Sequence, residues 1–169
     1  WSYWAAPIVD QGYAATAEGT VGAYLEFDNK EGNRLGMPLP AGRVRVNQAG
    51  PDGSLEFIGE DLIKHTPRNE TLRIKLGESF DIVGERKQMS FVYDSAADTI
   101  TETFELSVRN RKRESAEVVV REYLYRWSAW DLTAKSHAFT TRDAQTIDFP
   151  VTIPADGEAK LTYTVRYHW

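Results

Sequence analysis

Residues 100–108 read Ile100-Thr101-Glu102-Thr103-Phe104-Glu105-Leu106-Ser107-Val108. Ile100, Phe104, Leu106 and Val108 share the even positions with one acid, Glu102. The odd positions hold Thr101, Thr103, Glu105 and Ser107. A period of two with one apolar side is the pattern of a half-buried antiparallel strand. The end of the chain repeats it more cleanly. Leu161, Tyr163, Val165, Tyr167 and Trp169 alternate with Thr162, Thr164, Arg166 and His168.

Working outward, Val44 and Val46 alternate with Arg43, Arg45 and Asn47, and Leu72, Ile74 and Leu76 with Arg73 and Lys75. Further strands are expected at residues 21–28, 55–58, 80–87, 116–125 and 146–153. Turn signals separate them. Gly50-Pro51-Asp52-Gly53 and Pro154-Ala155-Asp156-Gly157 each combine a preset proline φ with a glycine free to take φ > 0. Residues 110–115 read as a polar hairpin loop, and residues 61–65 as the one weak helical turn. The expected fold is all-β: an antiparallel β-sandwich, immunoglobulin-like or related, of about nine or ten strands. Residues 1–18 are set apart as an aromatic arm or first strand, and residues 19–169 are expected to form a single sandwich domain.

The 169 residues contain no cysteine, which excludes disulfides, thiolate nucleophiles and Cys-ligated metals. Twenty Lys and Arg against 25 Asp and Glu leave a net charge of −5, the wrong sign for a nucleic-acid reader. No apolar run approaches the roughly 18 residues of a membrane-spanning helix. The chain opens on Trp1 and not Met, as expected of a processed protein or a fragment, and both ends are expected to be docked.

Candidate chemistry is sparse. His65, His137 and His168 show no metal-ligand spacing, and each has a plain reading: His65 a turn residue bonded to its loop, His168 a residue on the polar side of a strand. Asp28-Asn29-Lys30-Glu31-Gly32-Asn33 places a lysine where a calcium loop needs its next acid, and reads as a hairpin turn. No pattern selects a carboxylate pair from the 25 acids, and nucleophile elbows, phosphate loops and dinucleotide fingerprints are absent. Arg109-Asn110-Arg111-Lys112-Arg113 is the one basic cluster and reads as a solvated loop tip. Asn69-Glu70-Thr71 fits a glycosylation acceptor, a pattern common by chance. No catalytic residue, cofactor or metal is expected.

The aromatic residues are more informative. They concentrate at Trp1-Ser2-Tyr3-Trp4, at Tyr123-Leu124-Tyr125-Arg126-Trp127-Ser128-Ala129-Trp130 and near the C-terminus. Tyr163 and Tyr167 belong to the expected core. As a strand, Tyr123, Tyr125 and Trp127 take one side, with Leu124 and Trp130 on the other, so both sides are apolar. Trp1, Tyr3, Trp4, Tyr123, Tyr125, Trp127 and Trp130 form the candidate interaction surface. Core packing, a protein contact and a sugar-stacking platform stay open as its roles.

Several turn and strand signatures occur in a recognisable order. They are Leu39-Pro40-Ala41-Gly42, Gly59-Glu60-Asp61 followed by His65-Thr66-Pro67, Leu76-Gly77 before Phe80-Asp81, Glu85-Arg86, and Pro154-Ala155-Asp156-Gly157-Glu158. This order resembles the bacterial "domain of unknown function 4139" family, over roughly residues 21–169. The resemblance implies a β-sandwich without established catalysis, found C-terminally in envelope-associated or exported proteins. Such members commonly follow the Arg121-Glu122 position with a proline-containing turn, where this chain has its aromatic run.

Together these readings give an extracytoplasmic, non-catalytic structural or interaction module. Its expected partners are other protein chains, copies of itself included, with assembly into an extracellular filament by strand or arm exchange. A carbohydrate-binding sandwich is the alternative, with glycans as partners, and a hydrolase accessory domain the second. Neither nucleic acid nor a membrane span enters the reading.

Overall fold

The computed structural model describes residues 6–169. Its ten strands are β1 (Thr16–Asp28), β2 (Gly42–Ala49), β3 (Leu55–Ile63), β4 (Thr71–Asp94), β5 (Thr99–Asn110), β6 (Ala116–Tyr123), β7 (Trp130–Lys135), β8 (Thr140–Asp143), β9 (Thr146–Ile153) and β10 (Glu158–His168). A 3-10 turn at Glu31–Asn33 is the one helical element among the described residues. The fold is an all-β antiparallel sandwich, not closed into a barrel.

Contacts divide the chain into two compact units. One comprises residues 6–20 with Asp81–Trp169, the other Val21–Phe80. Strands β1 and β4 contribute residues to both.

The larger unit is the sandwich. Its first sheet has the order β1-β4-β5-β10-β7 and its second β6-β9-β8. The alternation seen in sequence selects the inner faces. Ile100, Phe104 and Leu106 of β5 pair across the register with Tyr167, Tyr163 and Leu161 of β10. From the second sheet come Val118, Ile147, Phe149, Val151 and Ile153, all at most 8% exposed. Tyr163 joins the layers, its ring 5.4 Å from Phe104 beside it and 5.7 Å from Phe149 opposite. Each such side chain contributes about 1.5–3 kcal/mol by leaving water.

A bulge at Met89 shifts the β4–β5 register between Gln88 and Ser90. Before it Arg86 and Gln88 face inward, opposite Leu106 and Phe104; after it Phe91 does, opposite Glu102. Without the extra residue, Gln88 and Phe91 would lie on opposite faces.

The expected hairpin at 110–115 is a crossing between sheets, because β5 pairs with β4 and β10 while β6 pairs with β9. The turn at 154–157 makes the reverse crossing. Asn110, fully buried, ties the two together. Its Nδ2 donates to the carbonyls of Glu114 (2.8 Å) and Pro154 (3.0 Å), and its backbone N to that of Gly157 (2.8 Å). Of the cluster expected to be a solvated tip, Arg111 and Arg113 are exposed, whereas Arg109 lies in β5 paired with Glu85 and Lys112 is half-buried.

The smaller unit holds the β2–β3 hairpin and the first part of β4. The expected turn at 50–53 is present, with Gly53 at φ 81° and Gly50 N donating to Ser54 O. Residues 72–76 and 80–87, expected as two strands, are one: β4 runs through Gly77 at φ 148°, a value that favours glycine. The expected helical turn at 61–65 is instead the end of β3 and an extended exit, because Asp61 accepts from the Leu62 and Lys75 amides and keeps the strand on β4. Gly59 is the close-approach point, where a Cβ would sit 2.4 Å from the Leu76 carbonyl oxygen. The residues around 28–33 form the 3-10 turn and not a hairpin. Buried Asn29 anchors it, donating to the Met37 and Pro67 carbonyls and accepting from Gly36 N.

Candidate functional site

The first sheet carries one acid on its buried face. Glu102 is fully buried, and the apolar neighbours that bury it offer it no cation. The cation comes from the segment after β6. That strand stops at Tyr123, and residues 124–129 bend away. Gln145 holds the bend, donating from Nε2 to the carbonyls of Leu124 (3.1 Å) and Trp127 (3.2 Å). The bend delivers Arg126 to Glu102. Nε lies 2.6 Å from Oε2 and Nη2 2.8 Å from Oε1, with both side chains at 0% exposure. Gln88 Nε2 donates to the same Oε1 at 2.8 Å, and the Phe91 ring lies 4.8 Å from the guanidinium carbon.

The outer edge of the guanidinium grips backbone. Nη1 donates to the carbonyls of Ile8 (2.6 Å) and Asp10 (2.9 Å), and Nη2 to that of Tyr13 (3.5 Å). Ile8 N donates back to Arg126 O at 3.1 Å. The neighbours extend the grip. Tyr125 Oη donates to Tyr13 O at 3.0 Å, Gln88 N to Ala15 O at 2.8 Å, and Arg86 Nη1 to Ala14 O. Residues 8–15 therefore lie folded back in a slot that reads main-chain carbonyls. Their own side chains stay partly outside, with Val9 at 43% and Tyr13 at 50% exposure.

Electrostatics keep the slot charged. Burial alone would lower the Arg126 pKa, but the hydrogen bond and charge of Glu102 outweigh it and raise the value. Burial, then the Glu102 charge, raise Tyr125 and Tyr167 above the ordinary phenol range. Beside the slot a second buried carboxylate, Glu122, accepts from Arg86 Nε at 2.8 Å and from Tyr163 Oη at 2.5 Å.

The candidate surface splits apart in this geometry. Trp1, Tyr3 and Trp4 lie outside the described residues. Tyr123 closes β6 and is 62% exposed. Tyr125 belongs to the slot. Trp127 meets Trp169 edge-on at 6.4 Å, and Trp169 stacks on Tyr93 at 6.0 Å. Trp130 starts β7 opposite Tyr167, its Nε1 donating to Ala144 O at 2.8 Å. The two-sided apolar strand expected at 123–130 is not formed, because the chain leaves the sheet at Leu124 to bring Arg126 inward. The sequence signal for the slot was Glu102 on an apolar face, and Arg126 inside an aromatic run.

The histidines have local roles. His65 Nδ1 accepts from Ala41 N at 3.2 Å, the loop bond expected of it, and His168 lies on the polar side of β10. Among the described residues no three His, Asp or Glu side chains are grouped to hold a metal ion, and no helix is long and apolar enough to cross a membrane. Open depressions among the described residues include two that each lie within one unit. Pro38, Leu39, Pro40, His65, Thr66 and Pro67 line one, and Asp81 with residues 111–114 the other. Neither gathers buried titratable groups.

No family model matches this chain, and no curated protein or solved structure does so either.

Proposed function

We propose that this chain is a non-catalytic structural and interaction module, working outside the cytoplasm and assembling with other protein chains, copies of itself included. The Arg126–Glu102 slot carries this reading. This ion pair, with both side chains at 0% exposure, holds a peptide backbone through the Arg126 guanidinium. A site that binds main-chain carbonyls accepts a segment for its backbone course, here a turn at residues 11–14, as an arm-docking module does. Sheet edges add surface of the same kind. Strand β7 ends the first sheet with Thr133, Ala134 and Lys135 exposed, and β8 ends the second with all four residues exposed. The extracytoplasmic location is supported by the family resemblance.

Electron microscopy of the native protein, with light scattering on the same sample, tests the proposal. Filaments, rings or discrete oligomers are expected. A monodisperse species of 19.2 kDa at every concentration would overturn it.

A second reading, glycan binding, is favoured by the Tyr93–Trp169–Trp127 row, where Tyr93 is 44% exposed. Titration of tryptophan emission with a panel of oligosaccharides tests it. Saturable quenching supports a sugar platform, and unchanged emission across the panel removes it.

A further inference from the structure

Resting on that reading, we propose that the Arg126 slot is the joint between copies, and that residues 8–13 of a second copy take the place of the chain's own. Three observations carry this. First, the occupant is visible: the slot is complete with residues 8–15 seated in it, and an identical segment from another copy makes identical bonds. Second, the slot tolerates no vacancy. With the arm withdrawn, Arg126 loses its carbonyl acceptors at Ile8, Asp10 and Tyr13, and the buried pair with Glu102 opens to water, so an open copy is driven to capture a replacement. Third, the hinge is strained. The arm turns back at Ala14, which sits at φ 50°, a left-handed conformation disfavoured for alanine. Exchange lets residue 14 extend and releases that strain while the bonds of Arg126 and Tyr125 to residues 8–13 are remade. A strained hinge with an intact docking site is the condition for domain swapping. Reciprocal exchange closes a two-fold dimer, whereas one-way passing runs on into a filament.

The hinge supplies the test in the full-length chain. Ala14→Gly relieves the left-handed strain and favours the closed arm. Ala14→Pro forbids the positive φ and favours the open arm. Size-exclusion chromatography with light scattering, over a concentration series, reads the assembled fraction. Relative to wild type, the association constant is expected to fall roughly five- to thirtyfold for Ala14→Gly and to rise for Ala14→Pro. Wild type that assembles equally well with either substitution overturns the proposal but leaves the interaction-module reading standing, since another surface then makes the joint. Wild type and variants that are all monomeric overturn both. If Ala14→Pro does not fold, Ala14→Gly decides alone.

Discussion

The Arg126 guanidinium and the Glu102 carboxylate meet through two contacts, 2.6 and 2.8 Å, with neither side chain exposed. Twenty-four residues separate them in sequence, and the only other polar partners they find are Gln88 Nε2 on Glu102 and the backbone carbonyls of residues 8, 10 and 13 on Arg126, among the described residues. Removing one partner leaves the other charge unpaired in the core, at a cost of about 3–5 kcal/mol. Glu102→Ala is therefore expected to lower the unfolding free energy of the sandwich, measured by urea titration, by that amount. The double variant Arg126→Met with Glu102→Leu is expected to recover much of the loss, since an apolar pair removes the desolvation cost. Hydrogen exchange separates the two effects. The Ile8 amide should lose protection in both variants, whereas the β5 and β10 amides should recover in the double variant. A double variant as unstable as Glu102→Ala would contradict this account.

Asn110 predicts a local failure. Its side chain holds two sheet-crossing loops by their carbonyls and accepts from Lys112 N at 3.0 Å. Asn110→Ala strands these groups in the interior, at a cost of about 2 kcal/mol. The Lys112 and Asp156 amides, which sit in the joined loops, should exchange faster than the amides of β9. Protection unchanged at both would mean that the loops hold each other without Asn110.

Gly59 predicts a failure confined to the smaller unit. A methyl there meets the Leu76 backbone, with its Cα only 2.6 Å away, so no side-chain rotation gives relief. Gly59→Ala is expected to destabilise the β3–β4 contact by about 3 kcal/mol or more. Trp1, Trp4, Trp127, Trp130 and Trp169 all lie outside residues 21–80. Circular dichroism should therefore lose strand signal at a lower temperature while the tryptophan emission transition stays near its wild-type position. A single shifted transition by both probes would show that the units unfold together.

The tyrosines predict the alkaline limit. Burial, then the charge of Glu122, raise the Tyr163 pKa well above the ordinary phenol value, and burial, then Glu102, raise that of Tyr167. The folded state keeps protons that the unfolded chain releases at about pH 10. Their contribution to stability is therefore complete below pH 10 and is lost as pH rises above it towards the folded-state values. Thermal midpoints should fall steeply above pH 10, less so in Tyr163→Phe. A phenolate absorbance rise from these groups at pH 10 in the folded protein would contradict the direction of the shifts.

Asp61 sets an acid limit in the smaller unit. Backbone hydrogen bonds from Lys75 and then Leu62 lower its pKa. The contribution is present above the unfolded carboxylate value and is lost as pH falls through the lower folded one. The Lys75 amide should lose protection in that acid range, and Asp61→Asn should lose it at neutral pH. Equal protection in the variant would remove the role.

Local alternation determined what it could. Residues 146–153 were legible as a strand to the residue, because every second side chain there is apolar and the turn signal at 154–157 follows at once. The buried faces of β5 and β10 followed from the same pattern, though not that the two strands pair, and so did the burial of Tyr163 and Tyr167. Strands β7 and β8 were not legible. β8 is four polar residues, and β7, although Trp130, Leu132 and Ala134 alternate with Asp131, Thr133 and Lys135, is only six residues long and follows an aromatic run that masks its start; both pair where a neighbour's edge offers hydrogen bonds. Nor did sequence distinguish a hairpin at 110–115 from a crossing between sheets, since both need only a polar loop between two strands. The site shows the same division. Glu102 on an apolar face announced that a cation must reach it, but not which of 20. The choice of Arg126 depends on the bend at Leu124, and the seating of residues 8–13 depends on Arg126. Period-two patterning is a property of neighbours along the chain and is written there. Charge pairing in a core is a property of neighbours in space, and the packed tertiary structure alone decided it.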